Sequence, residues 1–223
     1  MTSINSDRRL REILKAYYIA KDTLLREGYD REVDWQYSVC LQELDECTFL
    51  REAAWVILAS GIRETVIRNR FTDISEAFFN WESASKIVLY ADTCKSNALR
   101  HFGHCGKVNA ILTVATHLYQ HGFEEVSAGI RDKGMDYLQQ FPFIGPATSY
   151  HLAKNIGFAV AKPDRHLRRM AEKLGYNDVQ QLCADISQLT GEPIPVVDIV
   201  LWRYSTRYNN HIDRFATFLR SVQ

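Results

Sequence analysis

Asp164 has the residue type and the sequence setting of a group that could carry chemistry. It follows Pro163 and precedes the apolar residues Leu167 and Met170, a pattern that predicts the residue capping the N-terminus of a helix. A capping carboxylate accepts hydrogen bonds from backbone N–H groups, and a carboxylate held in this way can stabilise positive charge that develops on a substrate. Most capping aspartates only cap, so the position alone leaves both interpretations open.

Three arginines, Arg165, Arg168 and Arg169, follow on the same predicted helix, where their side chains could contact phosphate groups. Residues 141–176 hold six Lys or Arg against two acidic residues, although the whole chain has 27 Lys and Arg against 27 Asp and Glu. The neutral total excludes nucleic-acid binding through a general positive field, and a local basic surface remains as the alternative.

Residues 135–157 predict two short helices joined by a tight turn. Pro142 and Gly145 lie in the turn, Pro146 has the favoured first position of the second helix, and Gly157 suits its end. The start of such a second helix presents backbone N–H groups that can bind a phosphate through hydrogen bonds and the helix dipole. Considered alone, the segment also fits an ordinary pair of helices.

The combination of these features resembles the helix-hairpin-helix DNA glycosylase superfamily, which includes endonuclease III, the adenine-mismatch glycosylases and the alkyl- and oxo-purine glycosylases. The matching features are a hairpin turn, a second helix, a short loop and a capping Asp164 that lies 19 residues after Gly145. Residues 49–66, 106–111 and 198–203 also look like the early core helix with its following loop, the start of the helix before the hairpin, and a late helix near the cleft.

The resemblance implies two all-α lobes with a helix-hairpin-helix motif and an active cleft between them. It also implies that Asp164 is catalytic, that it assists departure of a base, and that it directs water at the anomeric carbon of the sugar. The hairpin would grip a phosphate of double-stranded DNA, sometimes with a monovalent or divalent cation held by neighbouring carbonyls. The hairpin residues that match this role are Ile144, Gly145, Ala147 and Thr148.

Two departures from the family pattern change the expectation. The common hairpin turn has Gly where this chain has Phe143, so we expect a phosphate grip of different shape. Family members that also cut the strand use a lysine that forms a Schiff base, two residues after the second hairpin glycine, where this chain has Ala147. Lys154 lies roughly 10 Å further along the helix at 1.5 Å per residue. We therefore expect a glycosylase without lyase activity.

The resemblance also implies where a base would be extruded and held. The loop after the early core helix can supply a wedge into the duplex, and its candidates include Ile62 and Arg63. Aromatic walls can offset part of the cost of unstacking a base, although core packing is an alternative role for each aromatic residue. The pocket candidates are Trp55, Trp202, Tyr150 and Trp35.

The elements that must position these residues are predicted to be helices. The chain has only 11 Gly and 5 Pro, and no stretch alternates with a period of two. Apolar spacing predicts helices over 8–27, 49–60, 63–70, 85–92, 107–120 and 124–130, with a further helix over 73–79 capped at Asp73 or Ser75. We predict one lobe from 1–48 plus 166–223 and a second lobe, with the hairpin, from 49–165.

Cysteines and apolar runs restrict the class of protein further. Five cysteines form no Cys-x-x-Cys pair, and none follows Cys183, so we expect neither disulfides nor the iron–sulfur cluster of many family members. The histidine pair His117 and His121 lacks a third ligand at a telling spacing, and no metal site is predicted. No apolar run reaches the length of a membrane span, and we expect a cytoplasmic, DNA-associated monomer.

Two functions stay open at this point. One is a monofunctional glycosylase that removes an alkylated, oxidised, mismatched or bulky modified base from duplex DNA. The other is a non-catalytic helix-hairpin-helix protein that recognises altered DNA. A pure binder needs no carboxylate beside phosphates, so Asp164 favours the enzyme.

Overall fold

The computed structural model describes residues 2–207, with side chains from residue 10 onward. This part of the chain contains fourteen α-helices and no strand, which confirms the predicted all-α class. Residues 208–223 of the predicted terminal lobe lie outside the described part. Within residues 2–207, no helix is both long enough and apolar enough to cross a membrane.

The helices follow one another with short connections. Two 3₁₀ helices, Leu41–Glu43 and Phe79–Trp81, lie among them. The α-helices are α1 (Thr2–Arg26), α2 (Asp30–Ser38), α3 (Glu46–Ala59), α4 (Glu64–Arg68), α5 (Phe71–Ala77), α6 (Ala84–Leu89), α7 (Ala91–His101), α8 (Cys105–His121), α9 (Phe123–Lys133), α10 (Met135–Leu138), α11 (Pro146–Asn155), α12 (Arg165–Lys173), α13 (Val179–Thr190) and α14 (Ile194–Arg207).

The chain divides into two compact units. The terminal unit holds residues up to Val39 and from Ala159 onward, and the hairpin unit holds Cys40–Phe158. The boundaries between the two units therefore lie at 39/40 and 158/159, whereas the predicted boundaries lie at 48/49 and 165/166. Residues 40–48 group with the hairpin unit, where Asp45 caps α3 by accepting the Thr48 N–H at 2.7 Å.

In the terminal unit, α14 packs against α1, α2, α12 and α13. The fully buried side chains of the terminal unit include Tyr17, Leu24, Leu167 and Leu201. The Tyr17 hydroxyl donates to the Glu192 carboxylate just before α14. Burial is the main cause that raises the pKa of Tyr17, and the hydrogen bond with the Glu192 carboxylate raises this pKa further. Tyr17 is therefore part of the core of this unit.

In the hairpin unit, α8 packs against α3, α6, α7 and α9, and α11 packs against α3 and α10. A buried polar contact fastens α11 to α3, because Asn155 Nδ2 donates to Glu52 Oε2 at 2.8 Å. Burial raises the pKa of Glu52. These contacts fix the helix that carries the hairpin against the core helix before it.

One predicted helix start is wrong. α5 begins at Phe71, so Asp73 and Ser75 lie inside the helix and cap nothing. The Ser75 hydroxyl donates to the Phe71 carbonyl at 2.7 Å and accepts from Trp81 Nε1 at 3.0 Å. The tertiary contact with Trp81 gives Ser75 a role that its capping propensity did not indicate.

Candidate functional site

Asp164 occupies the N-cap position of α12, as the sequence predicts. Its Oδ1 accepts the backbone N–H groups of His166 at 2.9 Å and Leu167 at 3.0 Å. Among the residues with described side chains, no donor lies on Oδ2, and the side chain is partly exposed. One oxygen therefore anchors the carboxylate while the other can face a ligand. The cap is confirmed, and the catalytic role stays a prediction.

The first turn of α12 combines Asp164 with a neutral histidine and exposed arginines. Burial lowers the pKa of His166. The Arg165 Nε–H donates to His166 Nε2 at 3.3 Å, which requires the unprotonated nitrogen there. Arg165, Arg168 and Arg169 are all exposed. Their side chains form an exposed basic surface beside Asp164 on one helix.

The hairpin has the predicted helix, turn and helix, with Pro146 at the first position of α11. The Ile144 N–H donates to the Phe141 carbonyl at 3.1 Å, and the Gly145 N–H donates to Thr148 Oγ1 at 2.7 Å. Both groups are used within the turn. Ala147 and Thr148 lie in the first turn of α11, where a helix supplies no carbonyl of its own to accept their N–H groups. Of the four residues predicted to grip a phosphate, Ala147 and Thr148 therefore have the backbone N–H groups that are not used within the turn, and the phosphate contact itself stays a prediction.

Phe143 has a backbone conformation that usually favours glycine. Phe143 has φ +65°, the left-handed conformation that glycine adopts without steric cost. Thr148 Oγ1 donates to the Phe143 carbonyl at 3.1 Å. The Phe143 ring packs edge-on to His104, with ring centres 5.9 Å apart. The turn thus keeps the backbone shape that glycine would allow, and these contacts help offset the strain.

Lys107 joins the hairpin turn to the predicted wedge loop, residues 60–63. Its buried ammonium donates to the carbonyls of Ile57 and Leu58, each at 2.7 Å, and to that of Ser60. The same ammonium lies 5.5 Å from the centre of the Phe143 ring. Lys107 therefore caps the end of α3 from α8 and holds the start of the wedge loop. In that loop Ile62 is half-buried and Arg63 is exposed.

Replacing Lys107 by Met should change how stability depends on pH. Burial lowers the pKa of Lys107 from 10.5 to about 8. Between these values the unfolded chain keeps a proton that the folded protein has released, so the free energy of unfolding of the wild type should rise with pH, by up to about 3 kcal/mol. Lys107→Met should lack this rise.

Urea unfolding of both proteins at several pH values measures this difference. Lys133→Met is the matched control, because Lys133 is an exposed lysine of the same unit. Identical pH dependence of the wild type and Lys107→Met would contradict the buried, strongly desolvated position of Lys107.

The four candidate pocket aromatics are all partly buried, and they belong to two units. Trp55 and Tyr150 lie in the hairpin unit, and Trp35 and Trp202 in the terminal unit. Trp55 packs edge-on to Phe71, with ring centres 5.0 Å apart. The guanidinium of Arg203 lies 4.6 Å from the centre of the Trp202 ring. Their role in holding a base stays a prediction.

Lys154 does not have the setting of an exposed nucleophile. Its side chain is buried on the inner side of α11, and its charge lowers the pKa of Glu52 against the larger effect of burial. An amine held in this way contributes to the packing of α11 on α3. The distance argument from the sequence and this burial both disfavour Lys154 as a substitute for the missing lysine.

Sequence reasoning missed three polar residues of the terminal unit. The side chains of Gln180 and Asp198 accept hydrogen bonds from backbone N–H groups of the loop before Asp164. Gln36 on α2 is only 2% exposed, and neither atom of its amide has a hydrogen-bond partner among the described residues. A glutamine between two aromatic residues of a short helix gave no sequence signal, since its burial depends on tertiary packing.

The histidines considered as metal ligands make other contacts. His117 Nε2 lies 3.1 Å from the Tyr137 hydroxyl, and His121 Nδ1 lies 3.2 Å from Glu125 Oε1. Among the described residues, no three His, Cys, Asp or Glu side chains are grouped as metal ligands.

Comparisons of the chain with protein-family models, with curated proteins and with solved structures find no match.

Proposed function

We propose that this protein is a monofunctional DNA glycosylase. It extrudes a modified base from double-stranded DNA, hydrolyses the N-glycosidic bond and leaves an abasic site. The observation that carries the proposal is Asp164, whose Oδ1 is fixed by two backbone N–H groups while Oδ2 has no donor among the described residues. A carboxylate fixed in this way can act on a positively charged sugar without reorganising.

The chemistry assigned to Asp164 follows from its charge. As the bond between the sugar and the base breaks, positive charge develops on the sugar ring, and the carboxylate stabilises that charge. The base leaves with the electrons of the broken bond and takes up a proton. A water molecule adds its oxygen to the anomeric carbon and releases a proton, so that the net products are a sugar hydroxyl and the neutral free base. Ala147 supplies no amine for a Schiff base. The strand therefore stays intact.

The first turn of α11 supports a phosphate contact. The N–H groups of Ala147 and Thr148 point along the start of a helix, where the dipole also favours an anion. The three exposed arginines of α12 add positive charge in the terminal unit. DNA binding would then depend on a few local contacts, and we expect a shallow dependence of affinity on salt.

Gln36 is a candidate contact for an extruded base. Its buried amide has no partner among the described residues, which leaves two N–H donors and a carbonyl acceptor unsatisfied, at a cost of about 1 to 3 kcal/mol for each group. A base edge with an adjacent acceptor and donor could satisfy part of this amide once the side chains that cover it move. Oxidised, alkylated and mismatched bases can all present such an edge, so Gln36 does not rank these classes.

Duplexes that each carry one modified or mismatched base test the proposal. The set contains an oxidised purine, an alkylated purine, a mismatched base and a bulky modified pyrimidine. We expect mass spectrometry to detect the free base from at least one duplex, and strand breaks to form only after alkali. Breaks before alkali would contradict the absence of lyase activity. Binding of modified duplexes without release of any base would favour the non-catalytic alternative.

Ala147→Glu should weaken duplex binding without unfolding the protein. The new carboxylate lies at the second position of α11, where it is favourable to the helix dipole by about 0.5 kcal/mol and unfavourable to a bound phosphate. We expect roughly tenfold lower affinity by fluorescence anisotropy at fixed salt. Ser85→Glu is the control, since the exposed Ser85 has the equivalent position in α6 of the same unit. Equal affinities of the two variants would argue against the hairpin as the phosphate contact.

A further inference from the structure

The loop that leads into Asp164 is bonded by side chains from two later helices of the terminal unit. Gln180 on α13 forms a pair of hydrogen bonds with Ala161. Its Oε1 accepts the Ala161 N–H at 2.9 Å, and its Nε2 donates to the Ala161 carbonyl. One side-chain amide thus binds both backbone polar groups of Ala161, as a neighbouring strand would.

Asp198 on α14 holds the next residue of the loop. It is 1% exposed and lies within a run of buried residues of α14. Its Oδ1 accepts the Lys162 N–H at 2.6 Å. The Lys162 carbonyl in turn accepts the Asp164 N–H at 2.8 Å. A chain of hydrogen bonds therefore leads from α14 through Lys162 to the backbone of Asp164, and Gln180 on α13 holds the residue before Lys162.

Buried side chains, and not water, hold the loop before Asp164. Ala161 is 0% exposed, so its backbone N–H and carbonyl groups need protein partners, which Gln180 supplies. A carboxylate at a core position of α14 is expensive to bury unless it is hydrogen-bonded, and the Lys162 N–H is one of its donors. These contacts give α12 a fixed starting point, and the Asp164 side chain therefore has a fixed direction.

We propose that Gln180 and Asp198 are positioning residues for Asp164. They hold residues 161–164 so that the Asp164 carboxylate is presented to the sugar in one orientation. This inference rests on the proposed function. Small displacements of a catalytic group lower rates by factors of about 100 even when the altered residue is remote from the chemistry.

Gln180→Glu tests the role of the Gln180 amide. The substitution keeps the shape of the side chain, removes the Nε2 donor and puts a carboxylate oxygen against the Ala161 carbonyl. Gln181→Glu is the matched control, because Gln181 is the exposed neighbour and its side-chain amide donates to Asp185 Oδ1, at 3.4 Å, on the same helix. Both variants carry the same change of charge on α13.

Three quantities are measured for the wild type and both variants: the single-turnover rate of base release, the affinity for a duplex with a 2′-fluorinated sugar that resists cleavage, and the melting temperature. For Gln180→Glu we expect a rate about 10- to 100-fold lower at pH 8, with affinity within about threefold of the wild type. For Gln181→Glu we expect wild-type values.

The pH profile separates positioning from a merely structural role. At low pH the carboxyl group introduced by Gln180→Glu is protonated, and it again offers one donor and one acceptor to Ala161. The ratio of the Gln180→Glu rate to the wild-type rate should therefore rise as the pH falls from about 8 to about 4, through the ordinary pKa of about 4.3 of a Glu carboxyl. The same ratio for Gln181→Glu should stay flat.

The outcomes distinguish this inference from the proposed function. If the wild type releases a base and Gln180→Glu releases it as fast as Gln181→Glu, the positioning role is overturned and the glycosylase proposal stands. A rate loss that follows unfolding or lost duplex affinity, without recovery at low pH, also overturns the positioning role. If the wild type releases no base from any duplex, the proposed function fails and the positioning role fails with it.

Discussion

Asp164→Asn should lower the rate of base release by about 100- to 1,000-fold and leave the fold intact. Asparagine caps helices as well as aspartate does, and its side-chain oxygen can accept the same two N–H groups, from His166 and Leu167. What the substitution removes is the negative charge that would stabilise the sugar as the base departs. The expected loss is therefore one of rate, with a stability change below about 1 kcal/mol.

Single-turnover base release and duplex affinity measure the two parts of this prediction. Affinity should stay the same or increase, because a negative charge near phosphates is removed. Asp178→Asn is the matched control, since Asp178 caps α13 of the same unit by accepting the Gln181 N–H at 2.8 Å. Wild-type release by Asp164→Asn would contradict the assigned mechanism, and equal losses in both variants would indicate a general effect of cap substitution.

Features set by neighbouring residues could be predicted from the sequence. The cap at Asp164 and the position of Pro146 depend on a few residues of local backbone, and both are confirmed. The all-α class follows from apolar spacing in the same way. The helix α7 (Ala91–His101) was not predicted, because its composition is polar and its apolar face is formed by few residues such as Cys94 and Ala98.

Features that depend on distant residues could not be predicted. The carbonyls that Lys107 binds belong to a helix about 50 residues earlier, and a lysine in an apolar helix gives no indication of that partner. Gln180 bonds a loop 19 residues before it. The positive φ of Phe143 could not be predicted either, because a phenylalanine in the sequence gives no indication of a backbone conformation that glycine usually adopts. In each case tertiary packing overrides the local preference.

Gly157 is the position where a single methyl group should damage the hairpin unit most. It follows α11 with φ +103°, and a Cβ added there would lie 2.2 Å from the Leu41 backbone nitrogen and 2.7 Å from the Cys40 carbonyl carbon. Backbone atoms cannot rotate aside as a side chain can. Gly157→Ala should therefore lower the free energy of unfolding by about 3 to 5 kcal/mol, the range of severe packing defects.

Gly122→Ala separates this clash from the cost of the backbone angle. Gly122 lies in the same unit at the end of α8, with φ +76° and no atom within 4 Å of an added Cβ. Its substitution should cost only about 1 kcal/mol, the penalty for a side chain at positive φ. Urea unfolding of both variants gives the difference. If the two losses agree within about 1 kcal/mol, the segment at Cys40 and Leu41 does not pack against the end of α11. If Gly157→Ala loses more unfolding free energy and Gly122→Ala loses only about 1 kcal/mol, the contact with Cys40 and Leu41 fixes the end of α11. α11 is the helix whose first turn would bind the phosphate.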